Sequence, residues 1–133
     1  MSSYSQIELK VQKGIRQAED ALVLAIQAAL DQTQYGDLEE SQFRNLVRVA
    51  DTTDSTEVIK NFLRYQVGRD QKWGRGANSL ADRIISDIGK LKETASDIAQ
   101  NTDLDKINEI WLELVRLYLG YGARYLTYLR KEK

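Results

Sequence analysis

The 133-residue chain contains no cysteine, no histidine and no proline, and each absence removes a class of chemistry. Without cysteine there is no disulfide, no thiolate nucleophile and no Cys-ligated zinc or iron–sulfur centre. Without histidine the commonest general base, the commonest metal ligand and every imidazole triad are gone. The lack of proline suits long uninterrupted helices and does not suit a loop-rich β fold. An excess of either charge is also missing: 19 Lys and Arg against 20 Asp and Glu leave a net charge of -1. A protein that coats nucleic acid by bulk charge is thereby excluded, so any such contact must come from a segregated patch. The longest apolar run, Ala21 to Ile26, is far too short for a membrane span. The opening MSSYSQIELK lacks the basic region and apolar run of a signal peptide. The expectation is a cytoplasmic protein with no membrane contact, no metal and no cofactor.

What is present has an ordinary globular balance, 42% hydrophobic and 29% charged. The length suits one domain over residues 1–133. Apolar spacing predicts an all-α, compact bundle of about five helices. A long N-terminal helix, from about Ser5 to Gln34, carries Ile7, Val11, Ile15, Leu22 and Ile26 and ends at Gly36. Asp37, with Glu40 three residues on, is the candidate cap of the second helix, which carries Phe43, Leu46, Val47 and Ala50. The turn from Asp51 to Ser55 caps a third, with Val58, Ile59, Phe62, Leu63 and Gln66 on one side. After the break at Gly68, Gly74 and Gly76, a fourth starts at Asn78 or Ser79 and continues through Leu80, Ile84, Ile88, Leu91 and Ala95 to about Gln100. Asn101-Thr102-Asp103 forms a capping loop, and the fifth helix runs from Leu104 to about Arg130. Its large apolar residues occupy most sides, which predicts a central position. The long first helix, 1–36, is set off from a remainder at 37–133 within the one domain.

Chemistry concentrates in Lys60 to Gly76, KNFLRYQVGRDQKWGRG. Five cations (Lys60, Arg64, Arg69, Lys72, Arg75) stand against one acid, Asp70, with Tyr65 and Trp73 between them. Arginine, lysine and interleaved aromatics suit the phosphates and exposed bases of single-stranded nucleic acid. Cations that merely complement a helix dipole give the same pattern. On a helical wheel Lys60 and Arg64 face solvent, while Arg69 falls near the edge of the apolar stripe, where a structural ion pair is the commoner role. Trp73 reads as a lid on the core in preference to an exposed stacking platform. Arg44 and Arg48 form a further i, i+4 pair, with Glu40 one turn before Arg44. The fifth helix is acidic at its start, with five acids and one lysine from Asp97 to Glu113, and basic at its end, with five cations and one acid, Glu132, from Arg116 to Lys133. A shared binding face requires the basic ends of the third and fifth helices to converge.

Catalysis without His or Cys needs paired carboxylates, a desolvated lysine or an activated hydroxyl. The acids are spread along polar faces, mostly with a cation three or four residues away, and neither a GxGxxG nor a GxxxxGK[ST] pattern occurs. The chain reads as a non-enzyme.

Three segments, SQFRNL (Ser41 to Leu46), FLRYQVGRDQ (Phe62 to Gln71) and ELVRLYLGYGARYLTYLRK (Glu113 to Lys131), carry a resemblance. Through Gln42, Arg44 and Asn45, then Tyr65, Gly68 and Arg69, then Tyr118, Gly120, Tyr121, Ala123 and Tyr125, the chain resembles the small helical subunit of type III-A (Csm) CRISPR effector complexes, or the equivalent subunit of a related type III subtype. The likeness covers roughly residues 38 to 131. It implies a five-helix bundle, present in several copies, that holds the guide–target RNA duplex by contacts to its backbone, braces neighbouring effector subunits and cuts nothing. The phosphate-contacting candidates are Arg44, Arg48, Lys60, Arg64, Arg69, Lys72, Arg75, Arg124 and Arg130. The rival expectation is an interaction module that binds no nucleic acid and oligomerises through the apolar faces of the first and fifth helices, where the Ala-rich stretch from Ala18 to Ala29 permits close approach.

Overall fold

Helical spacing of apolar residues over proline-free stretches yields five helices in the computed structural model, which describes residues 4–100 and 104–131. They are α1 (Tyr4–Gln32), α2 (Glu40–Thr52), α3 (Thr56–Arg69), α4 (Leu80–Ala99) and α5 (Leu104–Lys131). The all-α bundle is as expected, and among the described residues there is no strand, only an isolated bridge between Gln34 and Ser79. The expected capping loop Asn101-Thr102-Asp103 and the terminal Glu132 and Lys133 lie outside the described residues.

α5 is the central helix because its apolar residues occupy most of its circumference, and α1, α2 and α4 cover it. Ile110, Leu114, Val115, Tyr118, Leu119 and Leu126 are all buried. α1 runs parallel to it, joined by Lys106 to Glu8, Tyr121 to Glu19, and Tyr125 to Asp31 at 2.8 Å. α2 and α4 run antiparallel to it. Thr127 donates to Glu40 at 2.7 Å on the first, and Trp111 Nε1 to the Ile88 carbonyl at 2.7 Å on the second. Gly122 permits the closest approach, since a β-carbon there would lie 2.6 Å from Phe43 Cζ and 2.7 Å from Ile26 Cγ1. Residues of all five helices contribute to one core, α1 included. On α4, the buried Asp87 accepts from Tyr118 at 2.7 Å and faces Arg83 at 3.5 Å.

At one end of the bundle the α1–α2 and α3–α4 connections are stitched together. Gln34 N donates to Asn78 O at 2.8 Å, Leu80 N to Gln34 O at 3.2 Å, and Gly36 N to Lys72 O at 3.1 Å. The chain can pass this closely only because residue 74 is glycine: its φ is +80°, and a β-carbon there would meet Gln34 O at 2.2 Å. The turn drives Trp73 into the core, fully buried with its ring 5.6 Å from that of Phe43. It is a lid, as expected.

Three local expectations are corrected. The cap of α2 is Glu39, not Asp37: Leu38 is fully buried, and that anchor moves the helix start two residues on, where Gln42 Oε1 accepts from Glu39 N at 3.0 Å. α1 stops at Gln32 because Gln34 is committed to the α3–α4 connection. Val58 points outward while Ile59 and Leu63 are buried, since α3 packs along a narrower stripe than its apolar content suggests. Caps at Ser55, accepting from Val58 N at 3.3 Å, and Ser79, accepting from Asp82 N at 3.1 Å, lie where the sequence placed them.

Candidate nucleic-acid interface

The nine cations divide by what they already hold. Three are engaged with carboxylates. Lys60, expected to face solvent, lies half-buried on the Trp111 ring, 5.8 Å from its centroid, and pairs with Glu57 at 3.1 Å. Its ammonium thus lies over a ring of α5, which the wheel of α3 alone could not reveal. Lys92 approaches the same indole to 5.4 Å. Lys72 pairs with Glu39 at 2.8 Å, and hydrogen bonding to that carboxylate raises its pKa above the ordinary lysine value. Arg130 donates to the Leu38 carbonyl and lies 3.9 Å from Asp37, so it fastens the end of α5 to the α1–α2 connection.

Lys72, from the α3–α4 connection, and Arg130, near the end of α5, meet on the α1–α2 connection, which supplies its own acids. Lys72 and Arg130 take adjacent residues of it, Glu39 and Leu38.

Six arginines remain exposed, with no carboxylate within ion-pair distance among the described residues. Arg44 borders a depression with Asp37, Glu39 and Glu40, and Arg124 borders another with Asp51 and Glu113, so nearby acids dilute both. Arg124 also lies 5.9 Å from the Tyr121 ring centroid, and Arg48 holds Asn45 Oδ1 at 2.8 Å. Arg64, Arg69 and Arg75 are grouped around the end of α3. Arg64 lines a groove of about 200 Å³ between α3 and α4, with Val67, Gly76, Asp82 and Ile85. Arg75 donates to the Val67 carbonyl at 3.2 Å, which draws it beside the last turn of α3. Arg69 is not in the ion pair expected of it; it is exposed and lies 5.7 Å from the Tyr65 ring centroid.

From Val58 to Arg69 helix α3 contains no acid. The nearby Asp70 is occupied, its Oδ1 accepting from Lys72 N at 2.9 Å. An anion approaching this surface meets three guanidiniums, with Asp82 as the carboxylate in the groove. Each guanidinium is a fixed fork of donors suited to a phosphate.

The sequence reading passed over Arg116. Its Nε and Nη2 donate at 2.8 Å to the carbonyls of Ala50 and Thr53, closing the C-terminal end of α2, with Asp54 at 3.8 Å. The signal was a cation set between the apolar residues Val115 and Leu117 in the apolar stretch of α5. Among the described residues no group of three or more acids is arranged to hold a metal ion, and no helix is long and apolar enough to cross a membrane. Among the described residues, fold and surface together define a helical bundle with exposed arginines grouped around the end of α3. No protein-family model, no curated protein and no solved structure matches this chain.

Proposed function

We propose that this chain is a non-catalytic, RNA-contacting small subunit of a type III CRISPR effector complex, working in the cytoplasm. Its partners are guide and target RNA, neighbouring effector subunits and further copies of itself. The observation that carries the reading is the acid-free end of α3, where Arg64, Arg69 and Arg75 stand exposed, with no ion pair among the described residues, on a chain of net charge -1. Packing does not require exposed arginines to gather there. Of the residues that resemble the small subunits, Arg44, Asn45, Tyr65, Gly68 and Arg69 are exposed, which suits contact with a partner. Tyr118, Tyr121 and Tyr125 instead bind Asp87, Glu19 and Asp31, which suits a shared bundle.

The test is joint charge reversal, Arg64→Glu, Arg69→Glu and Arg75→Glu, with RNA affinity measured across a salt series. The expected result is at least about a tenfold loss and a flatter dependence of log K on log salt, with an unchanged melting curve. Wild-type affinity and slope in the triple variant would overturn the reading. Lys60 and Lys72 are unsuitable for this test because each already holds a carboxylate.

The interaction-module reading keeps one observation in its favour. α5 is covered by its neighbours, but α1 leaves Leu9 and Leu24 about two-thirds exposed, at 67% and 65%. A salt-insensitive dimer in sedimentation, disrupted by Leu24→Glu and without RNA affinity, would favour it.

A further inference from the structure

Among the described residues, Tyr65 is a tyrosine whose ring lies mostly outside the bundle's packing. The hydroxyls of Tyr35, Tyr118, Tyr121 and Tyr125 each hold a partner within the fold, and Tyr128 stacks on Tyr125 with ring centroids 5.8 Å apart. Tyr65 is 58% exposed, and among the described residues its ring meets the Arg69 guanidinium, 5.7 Å from the centroid. Leaving so large an apolar ring in water forgoes burial that the core would have rewarded.

Helical spacing puts Arg64, Asn61, Gly68, Tyr65 and Arg69 on one contiguous arc, opposite the buried Ile59 and Leu63. Gly68 lies between Arg64 and Tyr65 on that arc, and a β-carbon there would meet nothing within 4 Å. The glycine leaves open space on the arc between Arg64 and Tyr65, and Arg69 stands beside the Tyr65 ring. A phosphate fits beside Arg64 and the adjoining base fits on Tyr65, with the glycine letting the sugar–phosphate backbone come close.

We infer that the outer face of α3 takes an unpaired stretch of single-stranded RNA, with Tyr65 as the stacking platform for a base and Arg64 and Arg69 as the adjoining phosphate contacts. This rests on the RNA-contacting function proposed above and adds to it the state of the RNA. A duplex presents phosphates equally well to the arginines, but its bases are already stacked on one another and have no free face for the ring.

The experiment compares fluorescence anisotropy of a labelled, unstructured RNA of about 12 nucleotides with that of the same strand in a duplex, using the full chain at one fixed salt concentration. Tyr65→Ala is expected to weaken single-strand binding about tenfold and duplex binding less than about twofold, and Tyr65→Phe to retain both. Arg64→Glu with Arg69→Glu should weaken both ligands. An equal loss for the two RNAs, or no loss, in Tyr65→Ala would overturn the platform; if the arginine variants still lose binding, the RNA-contacting reading stands without it. No RNA binding by the wild type would remove both. Unchanged RNA affinity together with lost self-association in Tyr65→Ala would make this face a protein contact and also overturn the inference.

Discussion

Two glycines of α5, two residues apart, should respond in opposite directions to the same substitution. In a helix interior, replacing Gly by Ala gains about 1 kcal/mol, because glycine loses more backbone freedom on folding. At Gly120 a new β-carbon meets nothing within 4 Å, so Gly120→Ala should stabilise by roughly that amount. At Gly122 the same carbon would lie 2.6 Å from Phe43 Cζ, 2.7 Å from Ile26 Cγ1 and 3.0 Å from Phe43 Cε1. The Phe43 ring cannot swing away, because it is fully buried against Trp73, and Ile26 is fully buried too. Relief requires α5 to lift from α1 and α2, an overpacking cost of about 1–3 kcal/mol that meets or exceeds the helical gain. Gly122→Ala should therefore be destabilising by about 1 kcal/mol, and the two variants should differ by about 2 kcal/mol. At this length that is a separation of roughly 8 °C in Tm, well within the reach of far-UV circular dichroism on heating, with urea titration as a second measure. If both variants shifted Tm upward by the same amount, the close approach of α5 to Phe43 and Ile26 would be wrong.

Arg116→Ala should lower stability by about 2 kcal/mol by stripping the Ala50 and Thr53 carbonyls of their charged donor, and Arg116→Lys should recover less than half of that, since one ammonium cannot span both. A wild-type urea midpoint in Arg116→Ala would show that water serves those carbonyls equally well. Burial, reinforced by the Asp87 carboxylate, pushes the Tyr118 phenol above its ordinary value of 10.0. The unfolded chain releases that proton near 10 while the folded chain retains it, so this group leaves stability unchanged below pH 10 and erodes it as pH rises further. Tyrosinate absorbance and circular dichroism followed together through the alkaline range should show one tyrosine ionising only as the helices melt. Complete tyrosinate formation before any helix loss would refute this.

Helix existence was legible in the sequence because it rests on local rules: apolar spacing, the Ser55 and Ser79 caps, and the absence of proline. The central place of α5 was legible for a related reason, since a helix with apolar residues on most sides needs neighbours on most sides. The burial of Trp73 followed from its size and apolarity. The cation list fared differently. Position on one helix indicates which way Lys60 starts from the backbone, but not that Trp111 of α5 stands there beneath its ammonium. Nothing local to Lys72, Arg130 or Arg116 announces Glu39, the Leu38 carbonyl or the end of α2 as partners, which lie 33, 92 and more than 60 residues away in the chain. The sequence by itself determined which segments are helical, which faces are apolar and that cations cluster near the end of α3. Only the tertiary structure decided which of those cations are already committed to the fold and which, Arg64, Arg69 and Arg75, are left facing water. The reason is that a charge finds its partner through space, while a helix finds its hydrogen bonds four residues along its own chain.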